Sequence, residues 1–298
     1  MPGQLRLGTT PEEFRKHRAE FVEAMFRAAG VPVPWPADLF NPYPFVLSAD
    51  EVERLMALGG AVHAGIHAVV RNFAIDERIR DRYALDPRLI AILDRARGMP
   101  YTIGMFRPDF VIDEEGEFRV CEINARFSAN GYAINHIVDG ALRSVNYLPP
   151  SLRRVEGMST IQSTMTAAFR DGRPVAIVLR SESGSEIFVL LAGLEWFTIA
   201  PASLTLERDP HVVLELDRLE LLELKPDVLD CVIRNGSRND VRTLILAHDK
   251  RLLSVLSDPV SCAIMSMRRR PGSLRITSSR RCRRRTRATK RWPIKTIG

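Results

Sequence analysis

The chain has 298 residues and a mass of 33.6 kDa, and 45% of its residues are hydrophobic. These values predict a chain long enough to bury a sizeable core, divided between two or more domains. The polar N-terminus indicates no signal peptide, and the longest apolar stretch, residues 187–200, is too short to cross a bilayer. The four cysteines form no CxxC pair, so we expect reduced thiols in the cytoplasm and no zinc site.

The formal net charge of +7 is distributed unevenly along the chain. Residues 262–298 contain 11 Arg and 2 Lys and no acidic residue, which gives +13. The other 261 residues contain 30 basic and 36 acidic residues, which gives −6. Such an Arg-rich segment is typical of arms that neutralise the phosphates of nucleic acid, although aromatic residues are interleaved only at Trp292.

Helical signals dominate the first hundred residues. A capping box at Thr10 predicts a helix that ends at Gly30, and a second box at Ser48 predicts a helix towards Asn72. A shorter helix is predicted from Pro87. On the second helix two histidines, His63 and His67, share a face. No carboxylate lies between them as in a zinc-protease motif, so a structural role is favoured over a metal pair.

Residues 101–132 carry the pattern on which the functional prediction depends. Both halves alternate apolar and polar residues with period two, and Gly116 supplies a turn, so an antiparallel hairpin is predicted. With a loop of two or four residues, four polar side chains share one face at the open end: Arg107, Asp109, Glu122 and Asn124. A loop of three residues would break this arrangement, because a one-residue slip moves every side chain to the other face.

This polar face has two interpretations. A solvated face is ordinary for antiparallel strands. Apolar residues predicted on the same face, such as Val111, favour instead a covered face, where carboxylates must be paired or bind a metal. Glu122 and Asn124 offer the oxygen ligands that Mg²⁺ prefers, and Arg107 beside them offers a fork for a phosphate or carboxylate.

The second half of the chain predicts a small parallel α/β unit, because short apolar strands alternate with helices. The predicted strands cover residues 174–179, 196–200 and 211–216, and the predicted helices cover residues 186–194 and 219–224. The Ser-rich loop 180–185 follows a strand and precedes a helix, a position that favours anion binding, although it lacks the P-loop sequence. A last strand is predicted at 243–246, followed by an apolar helix.

The sequences RPDF at 107–110 and EINAR at 122–126, with a turn between them and a Ser/Asn/Gly loop after them, resemble the metal-binding strands of ATP-grasp carboxylate–amine ligases. Their early position resembles the circularly permuted, eukaryotic-type glutathione synthetase-like family. The resemblance implies an α/β (α+β) fold of ATP-grasp type with a helical N-terminal region and a small inserted parallel α/β substrate domain. The implied units are 1–100 (helical), 101–150 (metal-binding half), 172–236 (inserted domain), 237–260 (second half) and 261–298 (disordered tail).

The resemblance also implies a function, ATP-dependent ligation of a carboxylate to an amine through an acyl phosphate, with ATP and Mg²⁺ as cofactors. The implied roles are Arg107 and Asp109 in catalysis, Glu122 and Asn124 as metal ligands, Lys250 on the nucleotide phosphates, and Arg126, Ser128, Asn130 and Gly131 on the substrate. A surface lysine at a helix start is the alternative for Lys250, and Asn239 and Arg242 are weaker candidates. The implied partners are small-molecule carboxylate and amine substrates, with no membrane, no nucleic acid and no implied oligomeric state.

The permuted ligases continue with a second lysine, a Gly-rich loop and another metal-binding glutamate, none of which follows residue 260 here. We therefore hypothesise a change of reading frame near residue 260, which would leave the ligase truncated and its activity in doubt. The alternative function is a non-catalytic binding protein with a basic nucleic-acid-binding tail. Either interpretation predicts that residues 262–298 are disordered.

Overall fold

The structure is a computed structural model that describes residues 3–4, 9–29, 39–153, 158–180 and 185–258. The predictions for the basic segment 262–298 and for most of the loop 180–185 lie outside these residues. Within them, the helices are α1 (Pro11–Ala29), α2 (Ala49–Asn72), α3 (Glu77–Tyr83), α4 (Pro87–Arg95), α5 (Tyr132–Ser144), α6 (Met158–Ala167), α7 (Ile187–Leu190), α8 (Pro226–Asn235) and α9 (Arg251–Leu256). The strands are β1 (Gly3–Gln4), β2 (Phe45–Val46), β3 (Arg107–Ile112), β4 (Phe118–Asn124), β5 (Val175–Val178), β6 (Trp196–Ile199) and β7 (His211–Leu214).

The predicted capping boxes begin the first two helices. The Glu51 backbone N–H donates to Ser48 Oγ at 3.3 Å, and the Ser48 N–H donates back to Glu51 Oε2 at 2.7 Å. The same reciprocal bonds join Thr10 and Glu13 ahead of α1, at 2.7 and 3.2 Å. Each pair satisfies backbone donors that the first helical turn leaves unpaired, which explains why both helices begin where the sequence predicts.

The largest core lies between α2, α3, α4, α8, α9 and one face of the parallel sheet. Tyr83 of α3 is fully buried, and its hydroxyl donates to the carbonyl of Leu246 at 2.9 Å. The guanidinium of Arg242 donates to the carbonyls of Ala96 and Met99 at 3.2 and 3.0 Å. These bonds satisfy carbonyls after the end of α4 and fix the segment that leads into β3.

The predicted parallel unit is confirmed as a three-stranded sheet with the order β6-β5-β7. Val175 at the start of β5 pairs with Trp196 on one side and His211 on the other, and every residue of β5 is buried. A central strand that is covered on both faces has a continuous apolar sequence, as PVAIVL does.

The hairpin is confirmed, but its predicted loop is wrong. The Asp113 backbone N–H donates to the carbonyl of Glu117 at 3.0 Å, so the loop has three residues, with Gly116 at φ +82°. A bulge at Cys121 inserts one extra residue in β4, because Asp109 pairs with Glu122 whereas Phe110 pairs with Val120. The two irregularities cancel: the odd loop reverses the faces, and the bulge reverses them again before the open end.

Three further differences separate the prediction from the structure. Residues 243–247 form a π-helical turn rather than a strand, since a short fully buried apolar run has no period that separates the two conformations. The predicted helix 186–194 shortens to α7. Three helices, α3, α6 and α8, lie outside the predicted elements, although α8 has Pro226 at its start and Gly236 after its end, which are ordinary helix signals. The described residues thus form a mixed α/β structure with small sheets, and the finer ATP-grasp arrangement finds no support.

In the same residues no helix has the length and apolar composition needed to cross a membrane.

Candidate functional site

The open end of the hairpin places the predicted polar residues together, because the bulge restores their shared face. Arg107 Nε donates to Asp109 Oδ1 at 2.9 Å, and Asn124 Nδ2 donates to Asp109 Oδ2 at 3.0 Å. Both oxygens of Asp109 therefore have partners on the hairpin itself. The side chains of Arg107 and Asp109 are 43% and 36% exposed, so the network lies at the surface.

The loop after β4 closes against Arg107. Arg107 Nη1 donates to the carbonyl of Asn130 at 3.3 Å and also contacts the Asn130 side-chain oxygen. Gly131 begins α5 with φ +85°, and a Cβ there would lie 3.1 Å from Arg107 Nη1. Glycine thus permits both the left-handed backbone and the close approach of the guanidinium.

The segment before α9 contributes a lysine and a histidine to the same region. Lys250 Nζ lies 3.3 Å from Glu122 Oε1, and the lysine side chain is 76% exposed. The Ala125 N–H donates to His248 Nδ1 at 3.3 Å, which requires an unprotonated Nδ1. Burial, together with the nearby Arg126 charge, lowers the pKa of His248, while Glu122 opposes this shift. The neutral imidazole therefore serves as an acceptor that holds the loop.

We call this group the polar face; it comprises Arg107, Asp109, Glu122, Asn124, Asn130 and Lys250. Its carboxylates are occupied by arginine, asparagine and lysine partners at the surface. The premise of a covered face is wrong, because Val111 is 49% exposed. Nowhere in the described part of the chain do three or more His, Cys, Asp or Glu side chains form a group that could hold a metal ion.

Two of the residues predicted to contact substrate lie elsewhere. Arg126 is buried, and its guanidinium pairs with Glu220 Oε2 at 2.8 Å. Ser128 is also buried, and its backbone N–H donates to Glu215 Oε1 at 2.9 Å. The loop that carries them therefore fastens the hairpin to the carboxyl edge of the parallel sheet, whereas Asn130 and Gly131 remain beside Arg107.

The weaker candidate Asn239 belongs to the same interior. Its side-chain Nδ2 donates to the carbonyls of Arg126 and Leu214 at 2.7 and 3.1 Å. Its backbone is left-handed, with φ +57°. This side chain therefore joins the hairpin loop to β7, and we assign it a structural role.

Sequence reasoning did not single out two buried carboxylates: Glu215, which directly follows β7, and Glu220, which lies in the turn after it. Burial raises the pKa of Glu215, and the hydrogen bond from the Ser128 amide opposes this shift. A glutamate that directly follows an apolar strand (HVVLE) was the available signal, since a buried carboxylate requires a partner.

The two histidines of α2 lie against aromatic rings rather than carboxylates. The ring centroids of His63 and His67 are 4.7 Å apart, and those of His67 and Tyr101 are 4.9 Å apart. Burial lowers the pKa of His67, and the neighbouring His63 adds to the shift. These contacts fit the structural interpretation of the pair.

Residues 58–246, more than half of the chain, match the family described as the AnkG N-terminal domain. The chain therefore belongs to this family. The matched range includes the hairpin, the polar face except Lys250, and the whole parallel sheet. No curated protein matches the chain significantly.

This match overturns the ligase interpretation. The family is neither an ATP-grasp nor a glutathione synthetase-like family, and it is not an enzyme family, so the predictions of a carboxylate–amine ligase and of its activity are wrong. The RPDF and EINAR sequences are short. Their polar side chains are explained by mutual pairing on an exposed ribbon, which an antiparallel hairpin tolerates without any metal.

Proposed function

We propose that the protein is a non-catalytic binding protein that engages nucleic acid through its Arg-rich segment, residues 262–298. The family match supports the non-catalytic part, since the AnkG N-terminal domain covers most of the folded chain. The separation of charge supports the nucleic-acid part: 13 basic residues and no acidic residue lie in the last 37 positions, beside a body with net negative charge. This separation is the observation that carries the proposal.

The physical basis is counterion release. Each phosphate that a lysine or arginine neutralises frees condensed cations, so the affinity for duplex DNA falls steeply with salt. Six arginines within eight positions, residues 280–287, make the densest part of the segment. Recognition of this kind is independent of base sequence and needs no folded contact surface.

The test compares the salt dependence of duplex-DNA binding, by fluorescence anisotropy, in three full-length proteins. The first is the unaltered chain, and the second replaces the six arginines of residues 280–287 by glutamine. The third replaces the same six by lysine and is the matched control, because it keeps the charge. We expect the glutamine variant to lose about five units of the slope of log Kobs against log salt, and the lysine variant to keep it. Equal slopes in all three proteins would contradict the proposal.

The predicted binding of ATP and magnesium is tested separately, with the same protein preparation. If Glu122 serves only as the partner of Lys250, retention on immobilised Mg–ATP does not depend on it. We expect Glu122→Gln and the exposed control Glu207→Gln to behave like the unaltered chain. Retention that disappears only in Glu122→Gln would show that the polar face binds the nucleotide and would require a revised role for it.

A further inference from the structure

Within the described ranges, the outer half of the hairpin, residues 110–120, pairs with no third strand. Among the described residues, β3 and β4 form a two-stranded sheet and pair only with each other. Val111 and Ile112 are 49% and 39% exposed, and Phe110 packs edge-to-face on Phe118 with ring centroids 6.4 Å apart. We call residues 110–120 the outer ribbon. Isolated two-stranded ribbons are marginally stable, and their open edges accept further strands.

The turn of the outer ribbon is strongly acidic. Four of its five residues from 113 to 117 are carboxylic acids. Asp113 pairs with Arg119 and Glu117 pairs with Arg54, at 2.7 and 2.9 Å. The remaining two, Glu114 and Glu115, are exposed and make no ion pair with any described residue. The ribbon therefore presents two available charges beside an exposed apolar strand end.

One segment of the chain complements both properties. Residues 290–297, KRWPIKTI, carry three positive charges and three large apolar side chains, Trp292, Ile294 and Ile297. The mixture of charge and apolar residues matches the ribbon better than the arginine run at 280–287 does. Its basic residues are complementary in charge to Glu114 and Glu115, and its apolar side chains are complementary to Val111 and Ile112.

The connection is long enough for this contact. Residues 259–289 separate Asp258, the last described residue, from Lys290. An extended chain of this length spans up to about 100 Å, at about 3.3 Å per residue. A folded body of about 250 residues has a radius of gyration of about 18 Å, so its whole surface lies within reach.

We infer that the outer ribbon is the docking surface for residues 290–297 of the same chain. Docking would hold part of the basic segment on the body and compete with nucleic acid, a consequence that rests on the proposed function. Exposed ion pairs are weak and screened by salt, so the docked state opens readily at high ionic strength.

The docking itself is tested without nucleic acid. A carbodiimide joins a lysine amine to a carboxylate that it contacts, and residues 262–298 contain two lysines, Lys290 and Lys295. In the full-length protein at low salt, we expect peptide mapping to show cross-links from these lysines to Glu114 or Glu115, and their loss in about 0.5 M salt. A mixture of ¹⁴N- and ¹⁵N-labelled protein distinguishes contacts within one chain from those between chains. Cross-links to other carboxylates only, or between chains only, would overturn the inference.

The competition is tested with charge-matched variants of the full chain. Glu114→Gln/Glu115→Gln removes the two available charges of the ribbon. Glu12→Gln/Glu207→Gln removes two exposed charges elsewhere and has the same net charge. We expect DNA affinity at low salt to rise about fivefold in the ribbon variant relative to the control, because two surface ion pairs each shift an equilibrium a few-fold. Equal affinities would contradict competition.

The two experiments separate this inference from the proposed function. If no protein binds nucleic acid, the proposed function fails, while the cross-links still decide whether residues 290–297 dock. If nucleic acid binds but the lysines never couple to Glu114 or Glu115, the docking inference alone fails.

Discussion

The parallel sheet and the hairpin are both built from short strands, but they differ in what surrounds them. In the parallel sheet, β5 lies between two strands and is buried along its whole length. In the hairpin, two strands pair only with each other among the described residues, and the turn half is exposed. The parallel sheet is stabilised mainly by buried apolar area, and the hairpin by its turn and a few polar contacts.

This difference explains how polar residues behave in the two regions. At the carboxyl edge of the parallel sheet, Glu215 and Glu220 are buried and each has a specific partner. On the hairpin, Asp109 and Glu122 are paired, but the side chain of each is 36% exposed. Carboxylates thus form buried hydrogen bonds and ion pairs in one region and exposed ion pairs in the other.

The largest expected effect comes from truncating one isoleucine in each region. Ile177→Ala in β5 leaves a cavity in a fully buried strand and should destabilise the protein by about 2–5 kcal/mol. Ile112→Ala on the outer ribbon removes a side chain that is already 39% exposed and should cost less than about 1 kcal/mol. Urea denaturation measures both; equal losses would contradict the contrast between the buried strand and the weakly packed ribbon.

The second prediction uses two glycines with nearly equal backbone angles. Gly104 and Gly116 have φ of +81° and +82°. A Cβ at Gly104 would lie 2.9 Å from Asn239 Oδ1 and 3.0 Å from the Asn239 backbone N, whereas a Cβ at Gly116 meets nothing within 4 Å. Gly104→Ala combines backbone strain with a clash and should cost about 2–4 kcal/mol.

Gly116→Ala is the matched control, since it carries the strain of the left-handed conformation alone. It should cost about 1 kcal/mol. Thermal and urea unfolding of the two variants measure the difference. If the two substitutions destabilise equally, the contact between the hairpin base and Asn239 does not stabilise the fold.

The sequence predicted the elements that depend on local chemistry. Capping boxes located α1 and α2, a continuous apolar run located β5, and the turn glycine located the hairpin. The loop length and the bulge at Cys121 were not predicted, because both depend on how the strands pack against the rest of the protein rather than on any local preference. The strand predicted for the buried residues 243–246 was wrong for the same reason, since only tertiary packing selects the π-helical turn at 243–247.

The site was predicted in part. The shared face of Arg107, Asp109, Glu122 and Asn124 was predicted, although by a loop length that was wrong, whereas the ion pair between Lys250 and Glu122 was not predicted. The role of these side chains in surface ion pairs was not predicted, because surface ion pairs and metal sites in a cleft use the same types of side chain. Exposure separates the two, and exposure is not readable from a period-two pattern whose register changes at a bulge.

The smallest expected effect concerns two carboxylates whose pKa values are shifted in opposite directions. Burial raises the pKa of Glu215 at the parallel sheet, whereas hydrogen bonds from the Glu117 and Glu115 amides and from Arg119 lower the pKa of Asp113 on the hairpin. The raised pKa means that the folded state holds a proton that the unfolded state releases, so the stability associated with Glu215 is present below its unfolded pKa and is lost as the pH rises. For Asp113 the stability is present above the unfolded pKa and is lost as the pH falls.

Neutral replacements therefore have opposite pH profiles. Glu215→Gln should gain stability relative to the unaltered chain as the pH rises from 4 to 8, because glutamine never carries the buried charge. Asp113→Asn should lose stability relative to the unaltered chain as the pH rises from about 2 to 5, across the lowered folded pKa and the unfolded pKa of Asp113, because it lacks the charge that the Arg119 and amide donors stabilise. Unfolding temperatures measured in parallel at each pH give the two differences. Profiles of the same sign would show that the two carboxylates occupy similar environments, and the contrast between the buried sheet edge and the exposed ribbon would then be wrong.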